Sequence, residues 1–166
     1  ADSTRLWNAI KKNHIQTIAT DHCSFTMAQK EAGKDDFTKI PNGMPGVESR
    51  PALIYSFGVV ERDLKLEQMC RLLSENPAKL YGVYPQKGVI AAGSDADIVV
   101  WNPDTEWTMS VENQVANVDY CPFEGTKVKG KAEEVYLKGN LAAKDGKVVL
   151  EKTGSYVKRK KRMELD

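Results

Sequence analysis

Histidine, cysteine and long apolar runs are scarce in this sequence of 166 residues, and each scarcity excludes a class of protein. The three cysteines, Cys23, Cys70 and Cys121, are an odd number at wide spacing, which excludes a secreted disulfide framework and a CxxC metal site. No stretch approaches the roughly 18 to 20 uninterrupted apolar residues of a membrane span, and the N-terminus has no signal-peptide pattern. We therefore expect a soluble, cytoplasmic protein with reduced thiols.

A large excess of charge of one sign is also absent. The 24 basic and 23 acidic side chains leave a net charge of +1, too little for the positive field of a nucleic-acid-binding protein. The tail from Lys152 is the exception, because it carries six basic and two acidic residues. It can attract nucleic acid or an anionic membrane weakly, or it can be a solvated terminus or an arm on a neighbouring subunit. Since Tyr156 is its only aromatic residue, the second interpretation is favoured, and we expect no nucleic-acid or membrane partner.

What the sequence does have is enough apolar residues, 41%, for one globular domain with a core or for two small ones. Helical spacing of these residues predicts helices near the N-terminus and at residues 51–60, 64–73 and 77–82, with Ser3 and Asp63 as N-caps. Residues 15–20 are β-rich and mostly apolar, which predicts a strand buried on both faces. A helix followed by such a strand indicates an α/β fold with a parallel sheet.

From Lys87 the hydrophobic period falls to about 2, which is typical of β-structure. Strands are predicted at residues 96–101, 107–111 and 135–137, with Asn102 and Pro103 closing the first. A hairpin is predicted over residues 141–149, turning at Asp145 and Gly146.

The strongest local signal for chemistry is Asp21, His22 and Cys23, which directly follow the predicted strand. The carboxyl end of a parallel strand is where α/β folds carry catalytic side chains. Asp21 either binds a metal or accepts a proton there, or it caps a turn or helix. His22 is more simply a hydrogen-bonded structural residue than a metal ligand, and Cys23 more simply a thiol in the wall of a pocket than a nucleophile.

Residues 40–48 form a second candidate region, punctuated by glycine and proline. This loop either is two successive turns or grips a small polar ring, such as a cyclic amide, with its backbone. Glu48 and Arg50 can pair beside it at the surface. The sequence has no Ser/His/Asp order, no phosphate-binding glycine loop and no HxH pair, and His14 and His22 are too few for a self-contained metal site.

Four motifs in order resemble the dihydropyrimidinase and D-hydantoinase group of the cyclic amidohydrolase superfamily. They are TDHCSF at residues 20–25, KDDFTKIPNGMPGVE at 34–48, KGVIAAGSDADIVVWNP at 87–103 and NVDYCPFEG at 117–125. The resemblance implies an α/β fold made of the last strand and helices of a metal-dependent (β/α)8 barrel, with the C-terminal strands of a small β-sandwich. It implies that residues 1–86 belong to the barrel, 87–151 to the sandwich and 152–166 to a basic tail.

The resemblance also implies the chemistry. Such enzymes open dihydropyrimidines or 5-substituted hydantoins to N-carbamoyl amino acids, using a hydroxide activated by two divalent metals, usually zinc. Asp21 takes the position of a metal ligand that also carries the proton to the leaving nitrogen. Asn42 takes the position whose backbone binds the cyclic substrate, and Cys23 helps to form the pocket wall.

The remaining metal ligands of the family, four histidines and a bridging carboxylated lysine, are expected upstream of this chain. We therefore expect a C-terminal portion of a longer enzyme, inactive alone, with the whole enzyme a homotetramer. The alternative is a non-catalytic, dihydropyrimidinase-like structural protein that assembles into oligomers. A carboxylate at the position of Asp21 argues for the enzyme.

Overall fold

Helices occupy the first half of the chain in this computed structural model, which describes residues 2–151 and 154–165. The three longer helical runs each begin with regular α-helix, and two of them continue through a wider π-helical segment. The segments are α1 (Asp2–Lys11), α2 (Met27–Glu31), α3 (Arg50–Leu53) with the π-helix Ile54–Val60, α4 (Leu66–Cys70) with the π-helix Arg71–Glu75, and α5 (Asn76–Leu80). A 3₁₀ turn lies at Phe37–Lys39.

The second half contains an antiparallel sheet of four strands in the order β1-β2-β3-β4. The strands are β1 (Ile98–Thr108), β2 (Lys127–Leu137), β3 (Asn140–Lys144) and β4 (Lys147–Val148), and a 3₁₀ turn lies at Val111–Asn113. The predicted hairpin is confirmed, because β3 and β4 pair across Asp145 and Gly146, whose φ angles of 50° and 77° suit a two-residue turn.

The helices lie where the spacing predicts them, but their ends differ. Ser3 lies inside α1 rather than before it. Asp63 has a φ of 55° and is not an N-cap, since α4 begins at Leu66 with Lys65 in the capping position. The helix also continues through residues 74–77, where a break is predicted. The π-helical segment Arg71–Glu75 immediately precedes the turn containing Pro77, and a wider turn relieves the clash that a proline ring makes with an α-helical carbonyl.

The predicted strand at residues 15–20 is absent from the sheet. Ile18 N donates to the Leu72 carbonyl at 3.3 Å, which lies in a helix and not in a strand. Helix side chains bind two carbonyls of the segment: Asn76 donates to Gln16 O at 2.8 Å, and Arg50 donates to Ile18 O at 3.0 Å. A strand requires a neighbouring strand as its hydrogen-bonding partner, whereas Leu72, Asn76 and Arg50 all lie in helices.

One long strand replaces the two predicted at residues 96–101 and 107–111. β1 pairs with β2 on both sides of Pro103, and the register shifts between Asn102 and Glu106, which face Lys131 and Lys129. Three residues of β1 therefore lie opposite Gly130 alone, so Pro103 is not required to donate to the ladder. Residues 89–90, also β-like in sequence, form no strand in the described part of the chain.

Trp101 joins the two halves of the molecule. One buried cluster comprises Ile10, Tyr55, Leu64, Met69 and Leu72, a second comprises Ala52, Met109 and Val128, and Trp101 packs against both. The Trp101 ring centroid lies 5.4 Å from that of Tyr55. Buried Ser56 adds a polar link, since its hydroxyl donates to Lys129 O at 2.9 Å and accepts from Lys129 N at 2.8 Å.

The basic tail packs against an earlier part of the same chain. Lys160 N donates to Gly82 O at 2.6 Å, and Met163 N donates to Lys79 O at 3.0 Å, so the tail lies against the end of α5. Lys152, where the tail is predicted to begin, is outside the described residues. No helix in the described ranges is long and apolar enough to cross a membrane.

Candidate functional site

Asp21 lies at a sharp bend immediately after residues 15–20. Its φ of 48° is in the left-handed region, which a short polar residue tolerates better than a branched one. The side chain is exposed, and the structure records no hydrogen bond or ion pair for its carboxylate among the described residues. Asp21 caps no helix, because the N-cap of α2 is Thr26. Its carboxylate is therefore open to a ligand.

His22 and Cys23 connect this bend to the loop at residues 40–48. The Nδ1 atom of His22 accepts hydrogen bonds from Gly46 N at 3.0 Å and Val47 N at 3.3 Å. Cys23 N donates to Met44 O at 3.3 Å. His22 is therefore hydrogen-bonded to the loop through Nδ1, in line with the structural interpretation favoured for it. The structure thus brings the two candidate regions of the sequence together.

Gly43 allows the closest approach between these regions. Its φ is 113°, and a Cβ atom built on it would lie 2.5 Å from Cys23 Cβ, which leaves no room for a side chain. Asn42, the preceding residue, is exposed. Its backbone makes no recorded hydrogen bond to any other described residue. The Asn42 backbone therefore lies beside Gly43, which contacts Cys23, and is free to bind a ligand.

Lys30 is the residue of this region that sequence reasoning missed. Its Nζ donates to Pro41 O at 2.9 Å and to Gly43 O at 2.8 Å. α2 begins with a capping box, in which the Thr26 hydroxyl accepts from Gln29 N and the Gln29 side chain accepts from Thr26 N. A Thr-x-x-Gln pattern at residues 26–29 is the signal that predicts this helix start, and with it the position of Lys30 in the last turn.

Two further carboxylates tie residues 111–121 to the same region. Glu48 accepts hydrogen bonds from Val115 N at 2.9 Å and from Ala116 N at 3.1 Å. Asp119 Oδ1 accepts from Met27 N at 2.9 Å, at the start of α2. Glu48 and Arg50, which could pair at the surface, have other partners in the described chain, since Arg50 donates to Ile18 O. The carboxylate of Glu48 satisfies backbone groups that have no helix or sheet of their own.

Tyr120 also lies within residues 111–121, next to Asp119. Its hydroxyl is buried and has no hydrogen-bond partner among the described residues. Burial, with a smaller effect of the Asp119 charge, raises the pKa of Tyr120 above its usual value. The phenol is therefore protonated at neutral pH.

A metal site needs more side chains than this region groups together. Among residues 2–151 and 154–165, no three His, Cys, Asp or Glu side chains are close enough to hold a metal ion. Asp21 offers one open carboxylate, and the ring of His22 is engaged through Nδ1. These residues do not by themselves fit a resident metal.

The chain belongs to the amidohydrolase family, whose pattern it matches over residues 1–142. Within that family it is similar to the D-hydantoinase of Ralstonia pickettii, with 43% identity over 162 residues, which are 96% of this chain and 35% of that protein. The resemblance in the four motifs is thereby confirmed.

Solved structures agree with that similarity. The D-hydantoinase of Bacillus sp. AR9 superimposes with a TM-score of 0.94 at 43% identity, over 98% of this chain and 36% of that one. The dihydropyrimidinase of Brevibacillus agri NCHU1002 gives a TM-score of 0.85 at 45% identity, over 87% and 32%. The expected α/β fold, part of a barrel with part of a sandwich, is confirmed. The chain spans about a third of the length of the relatives it matches.

Proposed function

We propose that this chain is the C-terminal part of a hydrolase that opens dihydropyrimidines or 5-substituted hydantoins to N-carbamoyl amino acids. The observation that carries the proposal is the direct connection of the Asp21 bend to the Asn42 turn, through Cys23 and His22. The bend carries a carboxylate open to a ligand, and the turn carries a peptide group without a recorded partner. That combination suits a cyclic amide, which needs a proton carrier and a hydrogen-bonding partner for its ring. The similarity to hydantoinases supports the same class of reaction.

Each proposed residue has a separate role. A carboxylate oxygen of Asp21 accepts a proton from the attacking water and donates it to the ring nitrogen as the C–N bond breaks. The backbone of Asn42 hydrogen-bonds the polar edge of the ring, and Cys23 forms part of the pocket wall. We further propose residues 1–86 as the barrel part, 87–151 as the sandwich part and 152–166 as the tail.

The amidohydrolase family in general depends on a divalent metal, which supplies Lewis acidity toward water and the amide. We propose two such ions, zinc, with Asp21 as one ligand and the other ligands provided by sequence outside this chain. The whole protein is proposed to be a homotetramer. A cytoplasmic location is proposed on the basis of Cys23, Cys70 and Cys121, which are all free thiols.

The test is a ring-opening assay on the longer protein that contains this chain, with dihydrouracil and 5-phenylhydantoin as substrates and zinc supplied. We expect turnover, and we expect Asp21→Asn to lower kcat by about 10²-fold or more because a general acid–base group is lost. Asp35→Asn is the matched control, since Asp35 is an exposed carboxylate of the same loop region. The chain alone, with added zinc, should show no turnover.

Three results would count against the proposal. Turnover by the chain alone would show that the essential ligands are not missing from it. Asp21→Asn with a normal rate and normal metal content would remove the role given to that carboxylate. A longer protein that binds no metal and opens neither ring would favour the non-catalytic, structural alternative.

A further inference from the structure

The Nζ atom of Lys30 is bound by the two carbonyls that flank Asn42. Pro41 O lies 2.9 Å away and Gly43 O lies 2.8 Å away, so one ammonium group bridges the turn on both sides of this residue. Hydrogen bonds from an ionised donor are shorter and stronger than those between neutral groups. Lys30 is half-buried, and its Nζ lies 5.7 Å from the centroid of the Phe25 ring. The aromatic face restricts the ammonium to the side of the turn.

This arrangement determines which backbone groups of the turn remain available. Pro41 O and Gly43 O are directed to Lys30, and Met44 O accepts from Cys23 N. The N–H and C=O groups of Asn42 have no recorded partner in the described chain, so they remain available together with Gly43 N and Met44 N. Gly43, with its φ of 113° and its contact with Cys23, gives the turn no alternative packing on that side. The direction in which Asn42 presents its backbone therefore depends on the Lys30 ammonium.

We infer that Lys30 is a positioning residue, which holds the Asn42 turn in the orientation that binds the substrate ring. The inference rests on the proposed function for the ring itself, but the effect of Lys30 on the turn is a property of the chain. Lys30 does not touch the substrate. Its loss changes ring binding by letting the turn rotate, so the effect falls on KM more than on kcat.

The variants separate positioning from charge alone. Lys30→Met keeps the long apolar stem and removes every donor, whereas Lys30→Arg keeps a cation with several donors. Lys34→Met is the matched control, because Lys34 is an exposed lysine of the same region with no recorded side-chain bond to the turn. The longer protein carrying each substitution is assayed for ring opening, for metal content and for amide hydrogen exchange at Cys23, Gly46 and Val47, whose N–H groups bond between the turn and residues 22–23.

For Lys30→Met we expect KM to rise about tenfold, equivalent to about 1.4 kcal/mol, with unchanged metal content and faster exchange at the amides of Cys23, Gly46 and Val47. The kcat value should change by less than about threefold. Lys30→Arg should recover most of the loss, and Lys34→Met should behave as the unaltered protein.

Unchanged KM and unchanged exchange in Lys30→Met would overturn the inference, as would a fall in kcat with KM unaltered. An equal rise in KM for Lys34→Met would show a general charge effect and also overturn it. If the unaltered protein opens no ring, the proposed function fails. Hydrogen exchange then still decides the role of Lys30, because faster exchange at the amides of Cys23, Gly46 and Val47 supports positioning and unchanged exchange overturns it.

Discussion

The site segment, residues 21–49, and the β1–β2 pair are ordered by different means. The regular structure of the site segment consists of α2, with five residues, and one 3₁₀ turn, with three. Its backbone is held by the side chains of Lys30 and His22 and, from outside the segment, by that of Asp119. β1 and β2 are strands of 11 residues each, joined by an antiparallel ladder. A few polar side chains thus fix the backbone of the site segment, whereas a repeated pattern of backbone hydrogen bonds fixes the β1–β2 pair.

The site segment and the sheet also differ in how far their apolar side chains are buried. In the site segment Phe37 is 82% exposed and Met44 is 58% exposed. Met109, directly after β1, is 2% exposed, and Val128, in β2, is 4% exposed. The sheet region therefore gains stability from apolar area removed from water, and the site segment gains little in this chain. We expect substitutions in the sheet to change global stability and those in the site segment to act locally.

The largest effect should come from Gly130→Ala in β2. Gly130 has a φ of 87°, and an added Cβ would lie 2.5 Å from Tyr55 Cδ1 and 2.7 Å from Trp101 Nε1. Backbone strain and overpacking together should lower the free energy of unfolding by about 3 kcal/mol. Gly146→Ala is the control, because its φ is 77° but nothing lies within 4 Å of its added Cβ. Equal losses in urea unfolding would contradict a packing contribution at Gly130.

Ser56→Ala should have the next largest effect. The substitution removes the hydroxyl that pairs with both Lys129 N and Lys129 O, beside the irregular part of the β1–β2 ladder. Leaving these groups without partners should cost about 2 kcal/mol in the free energy of unfolding. Ser74→Ala, at an exposed helical position, should be nearly neutral. If both variants melt alike, the hydroxyl of Ser56 is not what joins helix and sheet.

A smaller, local effect is expected in the site segment for Glu48→Ala. Its carboxylate accepts from Val115 N and Ala116 N, and its loss should free residues 115–116 while unfolding changes by about 1 kcal/mol or less. Hydrogen exchange at those two amides measures the effect. Glu48→Gln keeps an acceptor oxygen, so its exchange rates should lie between those of Glu48→Ala and those of the unaltered protein. Cooperative loss of the whole sheet in Glu48→Ala would break the proposed contrast between the two regions.

The smallest effect concerns pH and the polar surface of the sheet. Hydrogen bonds from Lys144, at 2.9 Å, and from Tyr136, at 2.7 Å, lower the pKa of Glu134 below its ordinary 4.5. Because the folded pKa is the lower one, this contribution is present above pH 4.5 and is lost as pH falls through the folded value. Glu134→Gln should flatten that acid-side decline slightly in a pH series of urea unfolding. An identical pH profile in the variant would show that this exposed group adds nothing.

Much of the fold could be predicted from local patterns. Helical spacing correctly predicts the helix over residues 51–60, and Asp145 with Gly146 correctly predicts the hairpin, because both features depend on neighbours in the chain. The break at Pro103 is a wrong prediction, and residues 15–20, predicted as a strand, join no ladder in the described part of the chain. A bulge opposite Gly130 accommodates Pro103 within β1. Side chains from helices, and not a neighbouring strand, bind two carbonyls of residues 15–20.

The residues of the candidate site also differ in whether the sequence pattern points to them. Asp21, Cys23 and Asn42 stand out in the sequence by their residue type and their place after apolar or turn-forming residues, and their catalytic and binding roles stay predictions. Lys30 does not stand out, because a lysine at the end of a short helix is usually a solvated surface residue. Its partners, Pro41 O and Gly43 O, are backbone atoms more than ten positions away.

The sequence by itself determined the family, the local helices and turns, and the residue types available for chemistry, since these follow from order along the chain. Only the tertiary structure decided that His22 accepts from Gly46 and Val47, that Lys30 bridges the Asn42 turn and that β1 runs past Pro103. Each of these depends on a backbone donor or acceptor supplied by a distant segment. Every residue except proline carries the same pair of such groups, so a sequence pattern does not reveal which of them will meet.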